Sequence, residues 1–295
     1  MKRFFSSCKY ILTFTFLFFC ISLPAVSQTG SSVWTVSKNG ATLFLGGSIH
    51  ILRSGDFPLP AEFERALERS TMLVLEADTG ILANADMQQY LMKRMLLPEG
   101  ETLESLLDPQ TYMMLKERCE EYGLLLPLIA RWKPSMVVVT LSVLEMQKAG
   151  FVQQGVDDYC HEKAREAGKL LDFLETVEEQ IDMLVTMGEG YENDFVQYSL
   201  EELDTTEKEL PSLVSGWRTG DAASTEETLT EMKTTWPALY QSLVVDRNET
   251  WLPRLEEYLA GGNAVFVVVG LAHLHGPDGL LRRLADSGCT VKKLE

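Results

Sequence analysis

Short apolar runs that predict buried strands lie near both ends of the chain and once near its middle. They cover residues 41–45, 72–75, 170–174 and 264–269. Runs of this length, rich in Val, Leu and Phe and bounded by polar or glycine residues, are typical of strands buried on both faces. The sequence therefore predicts a central sheet assembled from distant parts of the chain.

The first of these runs belongs to a predicted hairpin followed by a strand–helix–strand unit. Residues 33–36 and 41–45 flank Asn39-Gly40, and Asn-Gly is a strong signal for a two-residue hairpin turn. Residues 61–69 have the spacing of an amphipathic helix and lead into the strand at 72–75. The simplest connection between the two strands is parallel and right-handed.

Helical periodicity dominates the segments about 87–167 and 178–259, with predicted turns near Gly188, Gly190, Pro211 and Gly220. The last unit is a strand at 264–269, a helix with Pro277 in its first turn and a short strand at 289–294. Together these patterns predict an α/β fold, with a central mixed sheet flanked by helices and a large helical insertion.

Residues 1–27 have the pattern of a secretory signal peptide, with Lys2, Arg3 and Lys9 before an apolar run and small residues at its end. The alternative is an uncleaved N-terminal anchor. Either way, we expect residues 28–295 to form one domain in an exported protein, in the periplasm or outside the cell. A membrane contact is expected only through this leader.

The net charge of −17 would become −20 without the three basic residues of the leader. A field of this sign repels nucleic acid and favours solubility, metal cations and basic peptides. We therefore expect a peptide or small-molecule substrate and no nucleic acid. Cys119, Cys160 and Cys289 form no Cys-x-x-Cys pair, and we expect them to be buried as small apolar side chains.

Candidate chemical groups follow the predicted strands. Gly47-x-x-His50 and Gly270-x-x-His273 each close an apolar run, while Glu76 and Glu175 end two others. Ligands in open α/β sheets bind outside the carboxyl ends of the strands, so these side chains are predicted to converge. For each histidine the alternative is a hydrogen-bonded residue at a strand end, and for Glu175 it is a helix N-terminal carboxylate.

His50, His273 and Glu76 form a set that binds metal in hydrolases and leaves a position for water. Either carboxylate, Glu76 or Glu175, is then a candidate to activate that water. Ser48 brings a hydroxyl near the site, and His275 joins it if the chain after His273 stays extended.

Arg247 is a candidate to bind a substrate carboxylate or to stabilise an oxyanion, the alternative being a surface ion pair. The chain contains no Gly-x-Ser-x-Gly elbow, phosphate-binding glycine loop or His-Glu-x-x-His helix.

The order of these motifs resembles the TraB/PrgY/GumN family, which also includes the animal TIKI proteins. The matching motifs run along nearly the whole chain after the leader. They are Gly47–His50, Glu76, Gly155-Val156-Asp157, Gly168-Lys169, Leu174-Glu175-Thr176, Gln180, Trp217, Gly220-Asp221, Arg247-Asn248 and Val269–Gly276. Ser48 replaces the commoner threonine of the first motif and keeps the hydroxyl.

The resemblance implies that His50, Glu76, Arg247 and His273 form the site, with Asn248 beside Arg247. TIKI proteins are described as peptidases that use manganese or cobalt, so either metal is expected here, with zinc as the alternative. TraB-like members are associated with the shutdown of peptide pheromones, and GumN with polysaccharide gene clusters. Our first hypothesis is therefore an exported metal-dependent hydrolase, specifically a peptidase.

Two other hypotheses remain open. One is a non-catalytic envelope protein that binds a metal, a tetrapyrrole or a peptide in the same cleft. The other is an assembly partner that docks another protein on the acidic helical segment 178–259, which would otherwise be a helical cover for the sheet.

Overall fold

The computed structural model describes residues 30–151 and 153–295. The predicted leader, residues 1–27, lies outside the described residues. Among the described residues, no helix combines the length and the apolar character needed to cross a bilayer.

Most strands belong to one six-stranded mixed sheet, in the order β6-β4-β7-β2-β1-β8, while β3 and β5 form a separate antiparallel pair. The strands are β1 (Val33–Lys38), β2 (Ala41–Ser48), β3 (Ile51–Leu52), β4 (Met72–Leu75), β5 (Gln153–Gln154), β6 (Leu170–Phe173), β7 (Val265–Gly270) and β8 (Thr290–Lys293). Strands β6, β4, β7 and β2 are mutually parallel, whereas β1 runs antiparallel to both β2 and β8. This confirms the predicted mixed α/β fold.

Helices surround the sheet and form the insertion predicted between its strands. They are α1 (Ala61–Arg69), α2 (Ala85–Arg94), α3 (Leu103–Leu106), α4 (Pro109–Glu121), α5 (Pro134–Lys148), α6 (Val156–Glu166), α7 (Val177–Thr186), α8 (Glu192–Thr219), α9 (Ala223–Thr235), α10 (Pro237–Tyr240), α11 (Asp246–Ala260) and α12 (Leu280–Asp286). A π-helical turn, Gln241–Val245, joins α10 to α11.

The hairpin and the strand–helix–strand unit form as predicted. Strands β1 and β2 pair through a turn in which Asn39 and Gly40 both have positive φ, as a type I′ hairpin requires. Strands β2 and β4 are parallel, but β7 lies between them and pairs with both. Strand β7, from late in the chain, is thus inserted into the N-terminal unit, and this brings His50, Glu76 and His273 to adjacent strand ends.

Two proline positions differ from the prediction. Pro211 lies inside α8, which continues from Glu192 to Thr219 without a turn. The helix survives the lost backbone hydrogen bond because residues on both sides of the proline, such as Leu203 and Val214, are buried against the rest of the molecule. Pro277 precedes α12 rather than entering its first turn, because Gly279 takes the position before the helix.

The sheet is covered on both faces. One face, with Phe44, Leu73 and Phe266, packs against α1 and Trp217, and the other packs against α11 and α12. A further cluster joins α4, α5 and α8 away from the sheet. The three cysteines after the leader are free thiols and buried, as predicted.

Candidate active site

The predicted chemical groups follow four adjacent parallel strands. Glu175 follows β6, Glu76 follows β4, His273 follows β7 and His50 follows β2, in the order of the sheet. Their shared direction places all four strand ends at one edge, where open sheets bind ligands. Residues more than 200 positions apart in the sequence therefore meet at one place.

Glu76 is buried at this edge, and both of its carboxylate oxygens accept hydrogen bonds. One carboxylate oxygen, Oε1, accepts a hydrogen bond of 2.6 Å from the backbone N–H of Gly270. The other, Oε2, accepts from Arg247 at 2.6 Å and from the Gln180 amide at 3.2 Å. These contacts fix the carboxylate plane relative to the end of β7.

Arg247 joins the two carboxylates to a histidine. Its guanidinium forms a bidentate pair with Glu175, at 3.1 and 2.6 Å, and donates from Nη1 to His273 Nε2 at 2.8 Å. With the bonds to Glu76 and to the Leu243 carbonyl, all five N–H groups have acceptors. Arg247 therefore positions the carboxylates and the imidazole of the site, and its side chain is only 14% exposed.

The protonation state of His273 follows from its neighbour Asn248. The Asn248 amide nitrogen donates to the carbonyls of His273 and Asp278, so its oxygen must face His273 Nδ1, at 2.9 Å. Nδ1 consequently carries the proton, and Nε2 presents its lone pair to Arg247. Burial, together with the charge of Arg247, lowers the pKa of His273 to about 3, so the imidazole is neutral at pH 7.

The imidazole of His50 is held by the carboxylate of Asp157. Asp157 Oδ1 accepts from His50 Nδ1 at 3.1 Å and from the Ser48 hydroxyl at 2.5 Å. Asp157 reaches this position because β3 pairs with β5, which leads directly into α6. Gly155 permits the close approach, since a Cβ there would lie 2.3 Å from the His50 carbonyl oxygen.

A small cradle separates these groups in front of Gly270. A Cβ on Gly270 would lie 3.3 Å from Glu76 Oε1, 3.4 Å from His50 Nε2 and 3.6 Å from His273 Cδ2. The absent side chain thus leaves room for one small group that contacts all three functional residues.

Charge coupling acts on Glu76 and His50 in opposite directions. Burial acts to raise the pKa of Glu76, but positive charge on His273, Arg247 and His50 and the Gly270 N–H hold it at about 2. His273 gains its charge only near pH 3, so at pH 7 the ionised Glu76 carboxylate is stabilised chiefly by Arg247. Desolvation acts to lower the pKa of His50, but the hydrogen bond and the charge of Asp157 together raise it by more. The net shift is upward, although water screens it because the side chain is 60% exposed.

The donor chemistry fits a divalent cation. Both histidines have Nδ1 held by an acceptor, which is how proteins orient metal-binding imidazoles, and Glu76 lies between them at the Gly270 cradle. His50, His273 and Glu76 would be the ligands. Across residues 30–151 and 153–295, Arg247 binds Glu76 Oε2 and His273 Nε2, and no three His, Cys, Asp or Glu side chains there form a ready metal group.

The structure brings together most of the residues that sequence reasoning selected: Ser48, His50, Glu76, Glu175, Arg247, Asn248 and His273. His275 does not join them, because the chain leaves the extended conformation directly after β7. The 3₁₀ segment spans Leu271–His273, so His273 and His275 are not alternate residues of an extended strand. The His275 ring packs edge-on against Trp34, at 5.4 Å between ring centroids.

Sequence reasoning missed the roles of Asp157 and Gln180. Both occurred in motifs that carried the family resemblance, but neither ends a strand of the large sheet. Asp157 lies in the first turn of α6 and Gln180 on α7. A carboxylate two residues after a helix-starting glycine was the available signal, and its usual interpretation is helix capping.

Comparisons with known proteins agree with this arrangement of motifs. The family model described as the TraB/PrgY/gumN family matches residues 32–293. Metalloprotease TIKI1 of Danio rerio is 27% identical over 194 residues, which cover 57% of this chain and 38% of that protein. Metalloprotease TIKI1 of Homo sapiens is 30% identical over 111 residues, which cover 37% of this chain and 21% of that protein.

The alignments thus span well under half the length of these curated relatives. No solved structure gives a significant match. The family match extends over nearly all the residues that form the sheet, the helical insertion and the candidate site. The chain belongs to the TraB/PrgY/gumN family.

Proposed function

We propose that this protein is an exported hydrolase that cleaves peptide bonds and takes a divalent cation, manganese or cobalt, at His50, Glu76 and His273. The observation that carries the proposal is the convergence of two oriented imidazoles and a buried carboxylate on the Gly270 cradle. The names of the TIKI1 relatives support the reaction class.

Such a cation, when bound, would lower the pKa of a coordinated water towards 7. The residues of the chain do the remaining work. Asp157 and Asn248 hold the imidazoles of His50 and His273 in one tautomer and one orientation. The Gly270 N–H and Gln180 hold Glu76, so that its carboxylate does not rotate as the charge at the cradle changes.

Arg247 and Glu175 supply the charge balance. Arg247 is bound to Glu175 through two hydrogen bonds and therefore stays in place if it releases Glu76 and His273. After that release, the N–H groups of Arg247 that had bound Glu76 and His273 would face the space that the substrate carbonyl occupies. Positive charge there stabilises the negative charge that develops on the carbonyl oxygen during hydrolysis.

Export is the second part of the proposal. It is supported by the sequence pattern of residues 1–27, whose basic start, apolar run and small residues are typical of a signal peptide. N-terminal sequencing of the protein recovered from the outside of the cytoplasmic membrane tests it. A mature N-terminus near Gln28 would support a cleaved signal peptide, and an intact Met1 on the recovered protein would indicate the uncleaved anchor. Absence of the protein from the outside of the membrane would contradict export.

The decisive experiment on function combines metal content with peptide cleavage. Purified residues 28–295 are refilled with manganese, cobalt or zinc, and the wild type is compared with a His50→Ala plus His273→Ala variant. We expect one metal per wild-type chain, none in the double variant, and cleavage of a mixed peptide library by the wild type alone. A folded wild type that neither binds metal nor cleaves any peptide would overturn the proposal.

Two other outcomes identify the alternative functions. Metal or a co-purifying ligand bound in a one-to-one ratio, with no cleavage under any condition, would favour a non-catalytic binding protein. Loss of a copurifying protein after substitutions on the exposed face of α9 would favour an assembly partner. Glu76→Gln, which removes the charge but keeps the shape, should abolish hydrolysis and metal binding and leave the docking of a protein on α9 unchanged, so it distinguishes a function of the candidate site from an assembly surface.

A further inference from the structure

A cleft opens directly beside Arg247 and Glu175, and the hydrolytic chemistry does not use it. It has a volume of about 330 Å³ and lies between α7, the start of α8 and the α10–α11 connection. Because its floor includes two residues of the candidate site, a molecule that occupies the cleft reaches the reacting groups. This volume is at the lower end of the range for small-molecule pockets and suits one long side chain with part of its backbone.

Four half-buried apolar side chains contribute to the walls of the cleft, beside the hydroxyls of Thr186, Ser242 and Thr250. Met183 and Met187 come from the end of α7, Tyr191 from the residue before α8, and Leu239 from α10. Tyr191 stacks on Trp236 with ring centroids 5.6 Å apart, which holds that wall in place. Thioether side chains adapt to the shape of an inserted aliphatic chain, so these walls suit an unbranched stem.

The rim of the cleft is acidic. Glu179 and Asp246 both line it, and neither lies within ion-pair distance of a cation among residues 30–151 and 153–295. Glu179 uses only Oε2 in its capping contact with Thr176, and Asp246 uses only Oδ1, to accept from Gln241. Each carboxylate therefore has a second oxygen that takes no part in these hydrogen bonds.

The charge next to the cleft is also unbalanced. Glu76 and Glu175 share the single guanidinium of Arg247, so this group carries one excess negative charge. With Glu179 and Asp246 the excess rises, within a protein whose net charge is already −17. A cationic ligand would relieve this repulsion and would be attracted from a distance.

We infer that this cleft binds a lysine or arginine side chain of the peptide substrate, beside the bond that is cleaved. The inference rests on the proposed function and names its substrate class. The methylene stem of either residue would lie along Met183, Met187 and Leu239, and its charged end would reach Glu179 and Asp246. Long basic side chains combine an apolar stem with a charged tip in this way.

Equilibrium binding tests the inference independently of catalysis. Three fluorescent peptides are used that differ at one central position, which is lysine, norleucine or glutamate, and their anisotropy is measured with the purified protein. Norleucine matches the lysine stem and lacks its charge. We expect affinity to fall from lysine to norleucine to glutamate, and the lysine preference over norleucine to shrink as sodium chloride is raised.

Matched variants identify the residues that produce the preference for lysine over norleucine. Glu179→Gln keeps the capping contact with Thr176, because glutamine also accepts there, and Asp246→Asn keeps the contact with Gln241. Each should reduce the lysine preference about 2- to 5-fold, the range expected for a solvent-exposed charge pair. Glu178→Gln, one residue from Glu179 and absent from the cleft lining, is the control and should leave the preference unchanged.

The outcomes separate this inference from the proposed function. Equal affinity for the three peptides, or a lysine preference that survives in the Glu179→Gln plus Asp246→Asn variant, would overturn the inference even if peptides are cleaved. A lysine preference that the two variants remove would support it even if no peptide is cleaved, in which case only the hydrolytic function fails.

Discussion

Single residues at the site act mainly by leaving space or by fixing orientation. Gly270 leaves the cradle that His50, Glu76 and His273 share, and Asp157 holds His50 from outside this cradle. Neither residue has the acid–base or ligand role that sequence reasoning looks for first. Substitutions at these two positions should therefore impair function in a protein that still folds.

Gly270→Ala should yield a folded protein that lacks activity. The backbone φ of −50° at Gly270 is accessible to alanine, but the tight contacts of the new Cβ require small shifts, so we expect destabilisation of about 0.5–3 kcal/mol. The new methyl group would lie within 3.6 Å of the three functional side chains and fill the cradle. Thermal unfolding and metal content are measured, with Gly55→Ala as the control because its Cβ meets nothing within 4 Å. Metal binding at the wild-type level would contradict the cradle.

Asp157→Asn should weaken metal affinity by about 10- to 100-fold, the usual effect of removing a carboxylate that orients a ligating histidine. Asp158→Asn is a matched control, since Asp158 lies in the same first turn of α6 and is exposed. Both substitutions remove one negative charge from the same helix end, so their effects through the helix dipole should be similar. Equal metal affinities in the two variants would show that Asp157 acts only through the helix dipole and not through its contact with His50.

At the scale of elements, the site depends on contacts that fasten distant segments to the sheet. The β3–β5 pair brings α6 to His50. Helix α8 is fixed to the end of β2 by Trp217, whose buried indole Nε1 donates to the Gly47 carbonyl at 2.8 Å. These contacts explain how a large helical insertion leaves the strand ends correctly placed.

Trp217→Phe should lower the free energy of unfolding by about 1–3 kcal/mol, because the buried Gly47 carbonyl loses its donor. Trp236→Phe provides the control. The indole N–H of Trp236 has no hydrogen-bond partner among the described residues, so this variant should change stability much less. Urea unfolding of both variants measures the difference, and equal losses would assign the stabilisation by Trp217 to packing alone.

At the scale of the whole molecule, buried histidines link stability to pH. Burial and the nearby positive charge of Lys293 lower the pKa of His275 to about 4 from its ordinary 6.5. The folded protein thus binds this proton less tightly than the unfolded chain does. The stability contributed by neutral His275 is complete above pH 6.5, falls between pH 6.5 and 4, and is lost below that.

Urea unfolding at several pH values tests this linkage. Between pH 7 and 4 the wild type should lose about 2–3 kcal/mol more than His275→Gln, which cannot titrate there. His273 is present in both proteins, so its own titration cancels in the comparison. Parallel curves for the two proteins would contradict a neutral, buried His275.

Several features of this protein were accessible from its sequence. Short apolar runs predicted the strands, Asn39-Gly40 predicted the hairpin, and glycine, histidine and glutamate at strand ends predicted where chemistry would lie. These predictions depend on local rules: side-chain alternation, turn conformation and the common edge of parallel strands. They identified the fold class and most of the residues that the structure brings together.

Other features were decided by the tertiary structure. The insertion of β7 between β2 and β4, the sharing of Arg247 by two carboxylates and a histidine, and the approach of Asp157 to His50 all join residues far apart in the chain. Helix α8 continued through Pro211, and His275 turned away from the site, because packing outweighed local preference. Long-range contacts of this kind depend on which surfaces the folded chain brings together, and periodicity along one segment carries no information about them.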